Sequence, residues 1–284
     1  MKTRIITGLV LVVLLAVILL LPPIATVVAA SVVAAIAVWE AVRATHIGNH
    51  LGQLIASMLM AAAGPFLLLQ YKYGLTLTVL AVLVYVIAMA VMQIAAHEKV
   101  KIETTGYTMM MTLIVAVVFT CVAKLRLDGV DPLAPFATLQ HGRYLILIAL
   151  FIPWLADIGA YFAGVAFGKH KLCPTISPKK TVEGLIGGLI FSPLVITATL
   201  YAYQLHADVF VYSYSYWLLA GTAFVGSVLS VFGDLFASVI KRQHGLKDFG
   251  NVFPGHGGIL DRFDSFLFVL PIVALILDYI PLFK

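Results

Sequence analysis

Nine apolar runs, at roughly 4–21, 24–43, 52–70, 74–96, 106–124, 143–166, 182–203, 215–240 and 263–281, dominate the chain. Each is near the ~20 residues a helix needs to cross a bilayer. The runs are continuous and rich in Leu, Ala, Ile and Val. Strands of a membrane barrel would instead alternate over about ten residues. In lipid every backbone polar group must be paired internally, which continuous helices achieve. The expected fold is therefore all-α: a polytopic integral membrane protein with about nine transmembrane helices. Composition agrees, since 62% of the residues are hydrophobic and only 11% are charged. A soluble domain carries about 25% charged residues. Soluble enzymes, coiled coils, disordered chains, collagens and disulfide scaffolds are excluded. Cys121 lies inside an apolar run and Cys173 in a Lys-rich loop, so neither a disulfide nor a thiolate metal site is expected.

Topology follows from Lys and Arg. With the N-terminus inside and the sides alternating, 13 of the 18 basic residues face the cytoplasm, and nine spans leave the C-terminus outside. The loop 204–214 has no Lys or Arg, as an outside loop should. Lys2 and Arg4 before an apolar run, with Ala29-Ala30 beyond it, resemble a cleaved leader, but Pro22-Pro23 reads as a tight turn straight into a second span. The net charge of +5 reflects this topology and contact with anionic lipid or phosphate, not nucleic acid. Residues 125–142, with Asp128-Gly129 and Asp131-Pro132, read as an external turn. The chain divides into scaffold helices over 1–140 and site-bearing helices over 141–284.

The charges are not spread evenly. Eight of the 31 lie between 234 and 264: Asp234, Lys241, Arg242, Lys247, Asp248, Asp261, Arg262 and Asp264. Asp234 falls inside an apolar run, where an unpaired carboxylate costs several kcal/mol in rough terms. Either a neighbouring cation or the headgroup zone accommodates it, or it belongs to a metal or phosphate site. Asp234, Ser238 and Lys241 share one helix face. A Gly-rich loop follows, holding Lys247, Asp248, His256, Gly257 and Gly258, and glycines let backbone approach phosphate closely. Asp261 and Ser265 are spaced i, i+4 at the start of the last span. Upstream, Asp157 lies in another apolar run, and Ser177-Pro178-Lys179-Lys180-Thr181 forms either an anion cradle or a positive-inside anchor. Carboxylates for a hard cation, with cations and backbone N–H groups for phosphate, are the parts of phosphoryl or nucleotidyl transfer. No Walker, HExxH or GxSxG motif is present.

The run from Ser238 to Asp264 reads Ser-Val-Ile-Lys-Arg, four residues, Lys-Asp-Phe-Gly, then Phe-Pro-Gly-His-Gly-Gly-Ile-Leu-Asp-Arg-Phe-Asp from Phe253. It resembles the signature of phosphatidate cytidylyltransferases, or CDP-diacylglycerol synthases. The stretch from Asp157 to Gly184 is also similar to that family. The first 140 residues match only as apolar helices.

The resemblance implies a membrane enzyme that makes CDP-diacylglycerol and pyrophosphate from CTP and phosphatidate. It implies Mg²⁺, with K⁺ as a candidate second cation, a homodimer, and a cytoplasm-facing site in a bacterial inner (cell) membrane. It assigns the metal to Asp234 and Asp261. Lys179, Lys180, Lys241, Arg242 and Arg262 are candidates to offset phosphate charge, with Asp264 as an orienter or further ligand. Ser177, Thr181, Ser238, Lys247, Asp248, Gly257 and Gly258 are candidate substrate contacts. His256 either donates to pyrophosphate or packs the loop. Two other readings use similar parts: a CTP-dependent lipid kinase, and a cation-coupled transporter built on Asp157 and Asp234.

Overall fold

The computed structural model describes residues 2–44, 50–67, 69, 74–127, 140–207, 213–253, 255 and 257–280. His256, most of the expected external turn (128–139) and part of the loop 204–214 (208–212) lie outside the described residues. The architecture is helical. In chain order come α1 (Lys2–Leu20), α2 (Pro23–Ala44), α3 (Leu51–Leu67), α4 (Gly74–Ala95), α5 (Ile102–Leu127) and α6 (Gln140–Phe167). Strands β1 (Lys171–Cys173) and β2 (Ser177–Thr181) precede α7 (Val182–Ala207) and α8 (Ser213–Gln243). A single turn, α9 (Leu260–Phe263), a 3-10 turn at Asp264–Phe266 and α10 (Val269–Tyr279) complete the chain. Among the described residues six helices are long and apolar enough to span a bilayer, namely α2 and α4–α8. Residues 6–20 of α1, and α3 and α10, are shorter apolar helices.

Two features depart from the expected run of helices. The first is the antiparallel hairpin β1–β2, which pairs Lys171 with Thr181 and Cys173 with Ser177. Pro174 and Pro178 disfavour helix there. The second is the last apolar run, which is broken rather than continuous. Asp264 Oδ1 accepts the Ser265 N–H at 2.8 Å, a local bond that competes with the helical ladder. Asp261 and Ser265 therefore do not share the face of one helix, because α9 ends at Phe263.

The chain forms two compact units. One comprises Met1–Arg143 with Gln243–Phe263, and the other Tyr144–Arg242 with Asp264–Lys284. In the first, α2, α3 and α5 pack on one another and α4 packs on α3. Small residues on α2, including Ala34, Ala37 and Ala41, are fully buried and permit that approach. Several polar side chains inside this unit pair with one another. Gln53 donates to Thr105 Oγ1 at 3.2 Å, Thr105 donates to Gln93 Oε1 at 2.5 Å, and Ser57 bonds Tyr85 at 3.0 Å. Arg126 is fully buried and donates to the carbonyls of Leu19 and Leu21, which ties down the turn before Pro22-Pro23.

In the second unit α6 and α7 meet along glycine. A methyl at Gly184 would lie 2.7 Å from the Ala160 carbonyl oxygen, and one at Gly159 would lie 3.0 Å from that of Gly187. A methyl at Gly187 would overlap the Ala163 Cβ, and one at Gly188 would lie 2.5 Å from the Ala156 carbonyl oxygen. Backbones at this distance leave no space for larger side chains. The pairs Gly164/Gly168 and Gly184/Gly188 lie on this seam or against Thr181 at its end.

Candidate active site

In the second unit the site is built from the hairpin, α6, α8 and the 3-10 turn. The seam sets the spacing of α6 and α7, and α7 continues directly from β2. The base of the hairpin is fastened in two ways. Val182 N–H donates to the His170 carbonyl at 2.9 Å, and Glu183 takes the His170 backbone N–H at 3.2 Å and its Nδ1 at 2.6 Å. Thr181 Oγ1 accepts the Gly184 N–H at 3.1 Å, so this hydroxyl caps the start of α7.

Lys180 is thereby directed at α8. Its ammonium forms an ion pair with Asp234 Oδ2. Asp157, on α6, is attracted by Lys180 and repelled by Asp234, so one cation faces two carboxylates. Two turns along α8, Lys241 Nζ lies 3.7 Å from Asp264 Oδ2. Lys241 is buried and Asp264 half-buried, so bulk water screens this pair only weakly. Gly233 lets the α8 backbone press against the Asp264 carbonyl, where a Cβ would overlap that oxygen. Ser238, on the same helix, is buried. Lys179 and Arg242 are exposed, and Ser177 is half-buried on β2.

In the first unit the Gly-rich loop is folded around carboxylates. Asp261 Oδ2 accepts the backbone N–H of Phe249 at 2.8 Å and of Gly258 at 3.0 Å. Phe253 N–H donates to the Gly257 carbonyl at 2.9 Å, closing the turn between them. Gly255 and Gly257 have φ of 77° and 86°, a region costly for a residue with a Cβ. Lys247, Asp248 and Arg262 are exposed. Beside the loop is a cavity of about 490 Å³ lined by Trp39 and Arg43 of α2 and by Asp248, Phe249 and Asn251. Arg43 lies over the Trp39 ring at 5.1 Å from its centroid.

Sequence reasoning singled out Asp234, Lys180, Lys241, Asp264 and Asp261 as candidate site charges, and in the structure each has a defined partner. It missed Glu40. This carboxylate of α2 is 1% exposed, and its Oε2 accepts the Leu260 N–H at 2.9 Å. The signal was present, since Glu40 interrupts the apolar run 24–43 as Asp234 interrupts 215–240. It also missed the His170–Glu183 clamp, whose partners are 13 positions apart.

Mg²⁺ takes oxygen ligands, commonly one or two protein carboxylates with phosphate oxygens and water. Among the described residues no group of three or more His, Cys, Asp and Glu side chains is gathered to hold a metal. The donor chemistry fits an ion that draws most of its ligands from phosphate and water. Asp234 already receives a cation in the form of the Lys180 ammonium.

Comparison with known proteins adds to this geometry. A family model described as "Cytidylyltransferase family" matches residues 2–280. Over 157 residues the chain is 45% identical to a phosphatidate cytidylyltransferase of Staphylococcus aureus (strain COL), covering 55% of this chain and 58% of the relative. It is similarly 43% identical over 157 residues to a protein of that name from Staphylococcus haemolyticus, and 44% over 158 residues to one from Staphylococcus saprophyticus, with the same coverage. The chain thus spans less than two thirds of the length of these curated relatives.

Proposed function

The chain belongs to the cytidylyltransferase family, and on that premise we propose that it is a phosphatidate cytidylyltransferase, transferring CMP from CTP to phosphatidate to give CDP-diacylglycerol and pyrophosphate. The observation that carries the reading is the 45% identity to a protein named for that activity. The pairing of Lys180 with Asp234 supports it, since it supplies a cation and a carboxylate of the kind nucleotidyl transfer uses.

In this reading a phosphate oxygen of phosphatidate attacks the α-phosphorus of CTP in line. The new P–O bond forms as the bond to the β-phosphate oxygen breaks, and pyrophosphate leaves. The attacking oxygen is already anionic, so no strong general base is required. Asp234 and Asp261 are the proposed carboxylates for Mg²⁺, which when bound neutralises triphosphate oxygens, and K⁺ is the proposed second cation. Lys180 and Lys241, with Lys179, Arg242 and Arg262, offset charge on the phosphates. Asp264 orients Lys241. Ser177, Thr181, Ser238, Lys247, Asp248, His256, Gly257 and Gly258 are the proposed substrate contacts. A cavity of 490 Å³ beside the loop is within the size range of small-molecule sites.

The proposed setting is a bacterial inner (cell) membrane crossed nine times, with the N-terminus inside, the site toward the cytoplasm and the chain paired as a homodimer. Phosphatidate keeps its acyl chains in lipid and presents its phosphate at the surface. The test is turnover of the purified protein with labelled CTP and phosphatidate, with and without Mg²⁺. CDP-lipid and pyrophosphate are expected. CDP with a newly phosphorylated lipid would assign a kinase instead, and solute flux across vesicles without nucleotide turnover would assign a transporter.

A further inference from the structure

We propose that Glu40 is a positioning residue for the nucleotide- and metal-binding loop Phe249–Asp261, acting by fastening the loop's backbone to α2. The activity part of this inference rests on the function proposed above, and the structural part does not.

Phe249, Ile259 and Leu260 of the loop are buried, but glycine loses the most conformational freedom on ordering and the loop has four. Two carboxylates add to its order. Asp261 Oδ2 takes the N–H groups of Phe249 and Gly258, at 2.8 and 3.0 Å. Glu40 Oε2 takes the N–H of Leu260, the residue immediately before Asp261, at 2.9 Å. Bonds from backbone N–H to an ionised carboxylate are shorter and stronger than neutral ones. The loop is also moulded onto Glu40. A methyl on Gly250 or on Gly258 would overlap its carboxylate, so an added side chain at either position has to displace Glu40.

Glu40 is buried, and α2 and the loop belong to the same compact unit. A carboxylate in an apolar helix is costly unless something rewards it. Scaffolding of α2 alone would be served by an apolar residue at this position. Holding the backbone beside Asp261 needs an acceptor. The effect on catalysis is therefore indirect and confined to what Asp261 holds: Glu40 touches the loop, and the loop presents Asp261.

The test uses the full-length protein with Glu40→Leu, Glu40→Gln and Gly250→Ala. Hydrogen exchange read by mass spectrometry reports the clamp without any turnover. Peptides covering 249–261 should exchange faster in Glu40→Leu and Gly250→Ala, and Glu40→Gln should stay close to the parent because its amide oxygen still accepts the Leu260 N–H. Kinetics report the positioning role. The KM for CTP and the half-saturating Mg²⁺ concentration should rise roughly tenfold to a hundredfold in Glu40→Leu, the loss of one hydrogen bond to a charged group. The KM for phosphatidate should stay within about twofold, since its acyl chains bind elsewhere in the bilayer. Unchanged exchange in both variants overturns the clamp. Faster exchange with equal rises in both KM values, or with none, overturns the positioning role in favour of a merely structural one. If Glu40→Leu fails to fold, Gly250→Ala disturbs the same contact from the loop side and leaves α2 intact. A parent protein that makes no CDP-lipid removes the proposed function while the exchange result still decides the clamp.

Discussion

Lys180, on the second strand of a short hairpin, places its ammonium on the carboxylate of Asp234, within α8. Each of the two has one plausible solitary reading, the lysine as a topology anchor and the aspartate as a stray charge in an apolar helix. Their contact replaces both with one unit, a cation held at a carboxylate, with Asp157 as a second acid facing it.

A first prediction follows from that contact. Lys180→Ala and Asp234→Asn should each lower kcat by about a hundredfold or more, the scale seen when one preorganised charge or donor is removed. The double variant should be no worse than the weaker single variant, because residues that act as a unit are not additive. Formation of CDP-lipid from labelled CTP measures it. Independent, multiplying losses would show that the two act separately.

The metal assignment predicts that Asp234→Asn and Asp261→Asn abolish turnover while the protein elutes as a folded species. Chelation should silence the parent protein, and added Mg²⁺ should restore it. Near-normal activity in either variant sinks the assignment of that residue.

The glycine seam predicts a stability effect with no charge involved. Gly187→Leu should lower stability by about 1–3 kcal/mol, because it forces a large side chain between α6 and α7 at Ala163. Thermal unfolding in detergent reads this. A variant at Gly221, where nothing lies within 4 Å of an added Cβ, serves as the control and should shift little.

Thr181 separates two roles. Its hydroxyl accepts the Gly184 N–H, so Thr181→Ala should cost about 1 kcal/mol of stability and Thr181→Ser should recover it. The KM for CTP, measured on the same variants, reports whether the hydroxyl also meets the nucleotide. A large rise in Thr181→Ala that Thr181→Ser reverses supports the contact, and an unchanged value leaves the cap as its role.

The helices were legible because period and length are written in the apolar runs, and the turn at Pro22-Pro23 was legible because proline punctuates it. The break between α9 and α10 was not, since it depends on Asp264 diverting a backbone N–H that a helix would otherwise use. The hairpin was read as a loop because three and five residues give too little alternation to show a period. At the site, Asp234 stood out by its apolar surroundings, and its partner was not foreseeable from spacing, because 54 positions separate Lys180 from it. Glu40 had the same apolar surroundings and was passed over because its partners are backbone groups, which leave no mark in composition.

Glu40 and Leu260 are 220 positions apart. Synthesis proceeds at about 5–20 residues per second, so roughly ten to forty seconds pass between the two leaving the ribosome. During that interval α2 is made and its acid has no loop to receive. The acid of α2 therefore waits for a partner made 220 positions later, and the arrival of the Gly-rich loop also completes that helix.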